Sequence, residues 1–158
     1  MIKNSLGKSV PEKIRFRAGR ITSYITIPSG ATWTTLIFNT TSQFTSLENP
    51  NSAYSTSTGI FTAPEAGLYF FSYGFRIKGT AGNDITTGFI KNSDTQVLYG
   101  YSFRIISTNY DGICGQDWIR LAAGDTVKLS GISGTGIAID YDSSTFLGYF
   151  SGIKTNEL

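Results

Sequence analysis

Apolar and polar residues alternate with a period of two along much of the chain, the spacing of strands rather than helices. The clearest case is Gly67 to Ile77, where Tyr69, Phe71, Tyr73, Phe75 and Ile77 share one face and Leu68 and Phe70 take the other. A strand apolar on both faces needs covering on both, as in the middle of a sandwich or at a subunit contact. Ile14, Phe16 and Ala18 alternate in the same way with Arg15 and Arg17. Further strands are predicted at Ile21 to Ile27, Trp33 to Phe38, Ile85 to Lys91, Gln96 to Ile105, Ile113 to Leu121, Thr126 to Ile132, Ile137 to Tyr141 and Thr145 to Ile153. Turn clusters divide them: Pro28-Ser29-Gly30, Asn92-Ser93-Asp94, Ala123-Gly124-Asp125, Ser133 to Gly136 and Asp142-Ser143-Ser144. The stretch from Asn39 to Thr58 is mostly polar, with Phe44 and Leu47 its only large apolar residues before Tyr54, and it reads as a loop. About eight to ten short strands at this spacing, with no helical period, predict a β-sandwich or jelly roll.

Composition agrees. The 158 residues are 14% aromatic and only 15% charged, with 18 glycines, which favours strands joined by small-residue turns. That length suits one domain with a core of its own, and the boundary expected is between a polar basic arm, residues 1–13, and a jelly-roll domain, residues 14–158. The lone cysteine, Cys114, has no intrachain partner and is read as a small buried hydrophobe. The polar start lacks the apolar core of a secretory signal, and no apolar run approaches the ~20 residues of a membrane helix, so cytosolic synthesis without membrane insertion is expected.

Charge is unevenly placed. The first twenty residues carry six basic side chains (Lys3, Lys8, Lys13, Arg15, Arg17 and Arg20) against the single acid Glu12, or +5, whereas the whole chain is +2. A basic arm ahead of a mildly acidic body suits docking on an acidic protein surface, or is simply a solvated leader.

The run Tyr54 to Tyr73, with Gly59, Phe61, Pro64, Gly67, Tyr69 and Phe71 in it, resembles the globular head of the complement component-one q subunit, whose fold is shared with the tumour necrosis factor superfamily. Phe89 to Asn92, Ile119 to Leu129 and Thr145 to Phe150 follow in the matching order. The resemblance implies an all-β, ten-stranded jelly-roll sandwich that assembles as a homotrimer and binds ligands on its outer faces or apical loops. It also places Tyr69, Phe71, Tyr73, Phe75, Phe146 and Tyr149 in the trimer interface or the core. Relatives commonly carry a signal and a collagen-like stalk, and neither is seen in this sequence.

Catalytic chemistry is sparse. The chain has no histidine, which excludes Ser-His-Asp and Cys-His machinery and His-bearing zinc sites. Gly131 to Gly136 lacks the lysine and following helix of a phosphate loop and reads as a hairpin turn. Asp140 and Asp142, with Asp111 or Asp117, offer oxygen ligands for calcium or a glycosidase pair, but solvated loop carboxylates are the simpler reading. Asn39-Thr40-Thr41 matches a glycosylation sequon, for which a structural role of Asn39 is the simpler account.

These observations lead to a non-enzymatic trimeric module with no cofactor, calcium being the one ion left open. The setting expected first is a bacteriophage virion surface protein (capsid decoration, head fibre or fibre tip), made in the host cytosol and anchored on a capsid or other virion protein through Lys3, Lys8, Lys13, Arg15 and Arg17. Its outer surface would meet a host-surface protein or glycan, and no nucleic acid. The alternatives are a secreted, extracellular recognition or ligand head of the complement and tumour necrosis factor type, and a carboxylate-only enzyme acting on polysaccharide.

Overall fold

The computed structural model of the chain describes residues 13–19, 25–39, 49–92, 97–106, 111–140 and 148–155. These form twelve strands: β1 (Arg15–Gly19), β2 (Ile25–Ile27), β3 (Gly30–Thr35), β4 (Tyr54–Ser55), β5 (Ile60–Thr62), β6 (Gly67–Lys78), β7 (Asp84–Lys91), β8 (Val97–Arg104), β9 (Asp111–Leu121), β10 (Thr126–Ser133), β11 (Ile137–Asp140) and β12 (Tyr149–Lys154). No helix occurs among the described residues, and none is long and apolar enough to cross a membrane. The all-β jelly-roll sandwich expected from the alternation is present. Its strand segments exceed the ten expected because the stretch before Gly67 holds the short hairpin β4–β5.

Two antiparallel sheets face one another. In the six-stranded sheet β6 is central, with β9 along one edge and both β12 and β11 along the other; β1 extends β12 and β2 extends β11. The second sheet runs β4-β5-β10-β7-β8, and β3 lies beside β10, where the Leu36 N–H donates to the Leu129 carbonyl at 2.9 Å. Strands nearest in sequence therefore often sit in opposite sheets, the crossing pattern of a jelly roll.

Alternation decides what fills the space between the sheets. Phe16 of β1, Phe150 of β12 and Tyr69, Phe71, Tyr73, Phe75 and Ile77 of β6 point inward from one sheet; Tyr54, Phe61, Phe89, Val127 and Leu129 point inward from the other. Their rings interlock: Phe16 stacks on Tyr54 at 4.6 Å and meets Phe150 edge-on at 4.9 Å, while Phe71 contacts Phe61 at 5.3 Å and Phe89 at 5.9 Å. Edge-on and offset rings add about 0.5–1.5 kcal/mol per pair beyond the area they bury. Bulky rings demand room elsewhere, and Gly152 of β12 supplies it: a Cβ there would lie 2.6 Å from Phe16 and 2.7 Å from Phe71.

The buried hydroxyls of Tyr54 and Tyr73 are tied in. The Tyr54 hydroxyl accepts from Phe38 N at 3.2 Å and donates to the Phe38 carbonyl at 3.0 Å, pinning the chain that leaves β3 onto β4. The Tyr73 hydroxyl pairs with Thr87 across the sheets. The end of the sandwich where β9 turns into β10 is clasped by Asp125, whose carboxylate accepts from Ala122 N, from Asn92 Nδ2 and from Lys91 at 2.7 Å. Gly124, at φ 86°, makes that turn in the left-handed region glycine favours.

Candidate functional site

The inner side of the six-stranded sheet is spent on the core, so what the molecule can offer a partner is decided on its outer side. Register places the outward residues in rows across four strands. One row runs Arg15, Ile153, Phe70, Trp118; the next Arg17, Ser151, Ser72, Gln116; the next Gly19, Tyr149, Gly74, Cys114. Leu68 and Arg120 flank the first row.

The rows differ in chemistry. In the first, Trp118 is 51% exposed and leans on the half-buried Phe70 with ring centroids 4.8 Å apart, which leaves large aromatic area open to water. In the second, Ser72 and Ser151 are joined Oγ to Oγ at 2.9 Å, which satisfies both hydroxyls within the face. In the third, the Tyr149 ring covers Gly74, where a Cβ would approach it to 3.1 Å, and the Arg17 guanidinium lies 4.9 Å from the ring centre. Arginine over tyrosine is a favourable cation–π arrangement. The face therefore combines a desolvatable aromatic centre with pre-paired polar groups, the make-up of a protein contact surface.

The residues singled out from the sequence fall in three places. Tyr69, Phe71, Tyr73 and Phe75 lie fully buried between the sheets. Tyr149 lies half-buried on the outer face beside Arg17. Phe146, Lys3 and Lys8 are outside the described residues. Lys13 is exposed just before β1, and Arg15 and Arg17 belong to β1 itself, so these two share a sheet face with Phe70 and Trp118. Leu68, Phe70 and Trp118 were not grouped as a site from the sequence; the parity opposite to Tyr69 and to Ile119 was the available signal.

One sequence expectation is corrected. Cys114 is exposed, not buried, because Ile113 and Ile119 take the inward parity of β9 and leave Cys114 with Trp118 on the other. Two of the carboxylates considered for calcium have backbone N–H partners of their own. The Asp111 carboxylate accepts from Ile106 N, Asp117 accepts from Trp118 N, Asp140 closes β11 opposite Arg76, and Asp142 is outside the described residues. No group of three or more histidine, cysteine or acidic side chains lies together among the described residues.

The buried phenols do not supply reactive oxygens. Burial pushes Tyr54 far above its ordinary range despite its bond to Phe38, and pushes Tyr73 up to about 12, with the Thr87 bond only partly offsetting it. Both stay protonated at neutral pH. Asp125 moves the other way, down to about 2, held as the carboxylate by Lys91, Asn92 and the Ala122 N–H.

Comparison with known proteins fits this geometry. Solved structures of similar architecture include the globular domain of zebrafish complement 1qA protein, at 17% identity and TM-score 0.64, covering 93% of this chain and all of that one. Eiger TNF from S. frugiperda matches at 11% identity and TM-score 0.67, covering 92% of this chain and 94% of that one. Murine APRIL matches at 9% identity and TM-score 0.61, covering 91% of this chain and all of that one. At such identities the likeness establishes the jelly-roll fold. No curated protein sequence matches the chain. The C1q domain model matches residues 20–152, which takes in every strand from β2 to β11 and most of β12. The sandwich, the order of its strands and this match together place the chain in the C1q domain family.

Proposed function

We propose that the chain is a non-enzymatic recognition head that works as a homotrimer, its subunits meeting through the outer face of the six-stranded sheet. The observation that carries this reading is the exposed Trp118 of the edge strand β9 resting on Phe70, on a sheet face that also presents Leu68, Ile153 and Tyr149. Covering such a face removes large aromatic area from water, and subunit interfaces draw most of their energy from a few anchors of this kind. With the sheet face engaged, the loops at the ends of the sandwich and the second sheet are left to meet a ligand. Membership of the C1q domain family supports an extracellular setting and a protein or glycan partner. The absence of histidine supports binding rather than hydrolysis.

Trp118→Lys tests the assembly face. A charge in the centre of a desolvated interface is costly, so the variant is expected to remain folded by circular dichroism and to lose its trimer. A trimer of unchanged mass would place the interface elsewhere.

A second reading, a virion surface protein docked on an acidic capsid patch, is favoured by one observation, the basic cluster Lys13, Arg15 and Arg17 at the entry to the first strand. Removing residues 1–13 while keeping the fold should abolish attachment to particles on this reading. Undiminished attachment, or the absence of any particle that binds, returns the assignment to the extracellular head.

A further inference from the structure

Covering the outer face of the six-stranded sheet sets a condition on Arg15. Its side chain stands in the row Arg15, Ile153, Phe70, Trp118 and is already half-buried. No ion pair or hydrogen bond joins its guanidinium to another of the described residues. Arg17, in the next row, is engaged with the Tyr149 ring. A cation taken out of water without a counter-ion is strongly destabilising. A copy that covers this row must therefore bring an acid to Arg15.

The acids among the described residues narrow to one. Glu65 is paired with Lys154 and Asp125 with Lys91, both at 2.7 Å. Asp84 belongs to β7, in the other sheet. Asp111 and Asp140 lie level with Ile77 and Arg76, past the last row that β1 reaches, at Gly74. Asp117 remains. It is half-buried on β9 beside Trp118, and its carboxylate accepts from Trp118 N at 2.6 Å. A carboxylate has acceptor sites enough to take an arginine as well.

Register sets Arg15 and Asp117 at nearly one height on opposite edges of one sheet. β1 borders the sheet on one side and β9 on the other. Asp117 is level with Phe71, Gly152 and Phe16, between the rows of Arg15 and Arg17. When three sheet faces turn toward a common axis that runs along the strands, one edge of each copy meets the opposite edge of the next, and rotation keeps the heights matched. We propose that in the trimer Arg15 of one copy pairs with Asp117 of the next, and that this pair fixes the head-to-tail direction of the ring. The inference rests on the trimeric reading above and names the charged contact that closes it. Arg120, level with Leu68, and Lys13, just ahead of β1, add like charges at one end of the same contact, so Arg15 and Asp117 supply the attraction there.

Charge reversal tests the pair. Asp117→Arg sets like charges together, and the concentration at which the trimer dissociates, read by light scattering over a dilution series, is expected to rise at least about tenfold. Arg15→Glu should do the same. The double variant Arg15→Glu, Asp117→Arg restores the pair with its polarity exchanged and should return to within about threefold of the parent. A trimeric parent whose single reversals leave dissociation unchanged, or whose double variant is no tighter than the weaker single, would overturn the proposal while leaving the trimer in place. A monomeric parent would overturn both. Should Asp117→Arg not melt cooperatively, Asp117→Asn removes the charge and keeps an acceptor for Trp118 N. It is expected to dissociate more readily than the parent at low salt and to converge on it at about 1 M salt, where surface charges are screened. Equal dissociation at low salt would equally overturn the pair.

Discussion

Phe70 and Phe71 are neighbours on one strand and have opposite fates. Phe71 is fully buried, with Phe16, Phe61, Phe89 and Phe150 around it. Phe70 is half-buried on the outer face, where Trp118 is its ring partner. The difference follows from the two-residue period of a strand, which assigns adjacent side chains to separate faces. It teaches that aromatic content alone does not distinguish folding from assembly in this molecule. Parity does: the Tyr69, Phe71, Tyr73 and Phe75 set holds the sheets together, and the Leu68, Phe70 and Trp118 set is available to another subunit.

The sharpest way to break this comparison is to truncate both neighbours. Phe71→Ala should destabilise the subunit by about 3–5 kcal/mol, as expected for a large ring removed from a packed core, measured by urea unfolding. Phe70→Ala should leave subunit unfolding within about 1 kcal/mol of the parent under conditions where the chain is monomeric, while weakening self-association. Equal losses from the two would mean that the outer face is part of the folding core.

Overpacking probes the inner face from the other side. Gly152→Ala adds a methyl between Phe16 and Phe71, and is expected to cost about 1–3 kcal/mol through forced ring displacement. A neutral effect would show that the aromatic core relaxes freely. A smaller effect is expected from Tyr73→Phe, which leaves the Thr87 hydroxyl buried without its partner, a loss of about 1–2 kcal/mol. The denaturant midpoint should fall with no change in the cooperativity of unfolding.

Smallest of all is the effect expected from a group outside both faces. The Asp125 carboxyl sits at about 2 in the folded chain against an ordinary value of 3.8. A carboxyl depressed by folding contributes stability that is fully present above the ordinary value and is lost as pH falls from there towards 2. The melting temperature of the parent should therefore drop between pH 5 and pH 2 by more than that of Asp125→Asn. Identical pH profiles would remove Asp125 from the account. The group is partly open to solvent, and screening keeps the difference modest.

Most of the fold was legible because the long strands bury one parity of large residues. β6, β7, β9 and β10 each begin and end within two residues of the positions predicted from alternation. The hairpin β4–β5 was not legible, since two- and three-residue strands in a Ser/Thr-rich stretch carry no measurable period. Its anchors were visible only as the isolated aromatics Tyr54 and Phe61, which turn out to be fixed by the Phe38 backbone and by ring contacts with Phe16. The outer face was half legible. A second apolar parity on β6 pointed to a further contact, but pairing Phe70 with Trp118 required the register between β6 and β9, a contact 48 residues apart in sequence that local pattern does not encode. Cys114 was misjudged on residue type, although the inward parity of Ile113 and Ile119 had already assigned it to the exposed side.

The measurement that bears most directly on the assembly face is the solution mass of the parent chain and of Trp118→Lys by light scattering after size exclusion. The account predicts three times the 17.2 kDa chain mass for the parent and a single chain mass for the variant. A parent that is monomeric at high concentration, or a variant that stays trimeric, would contradict it.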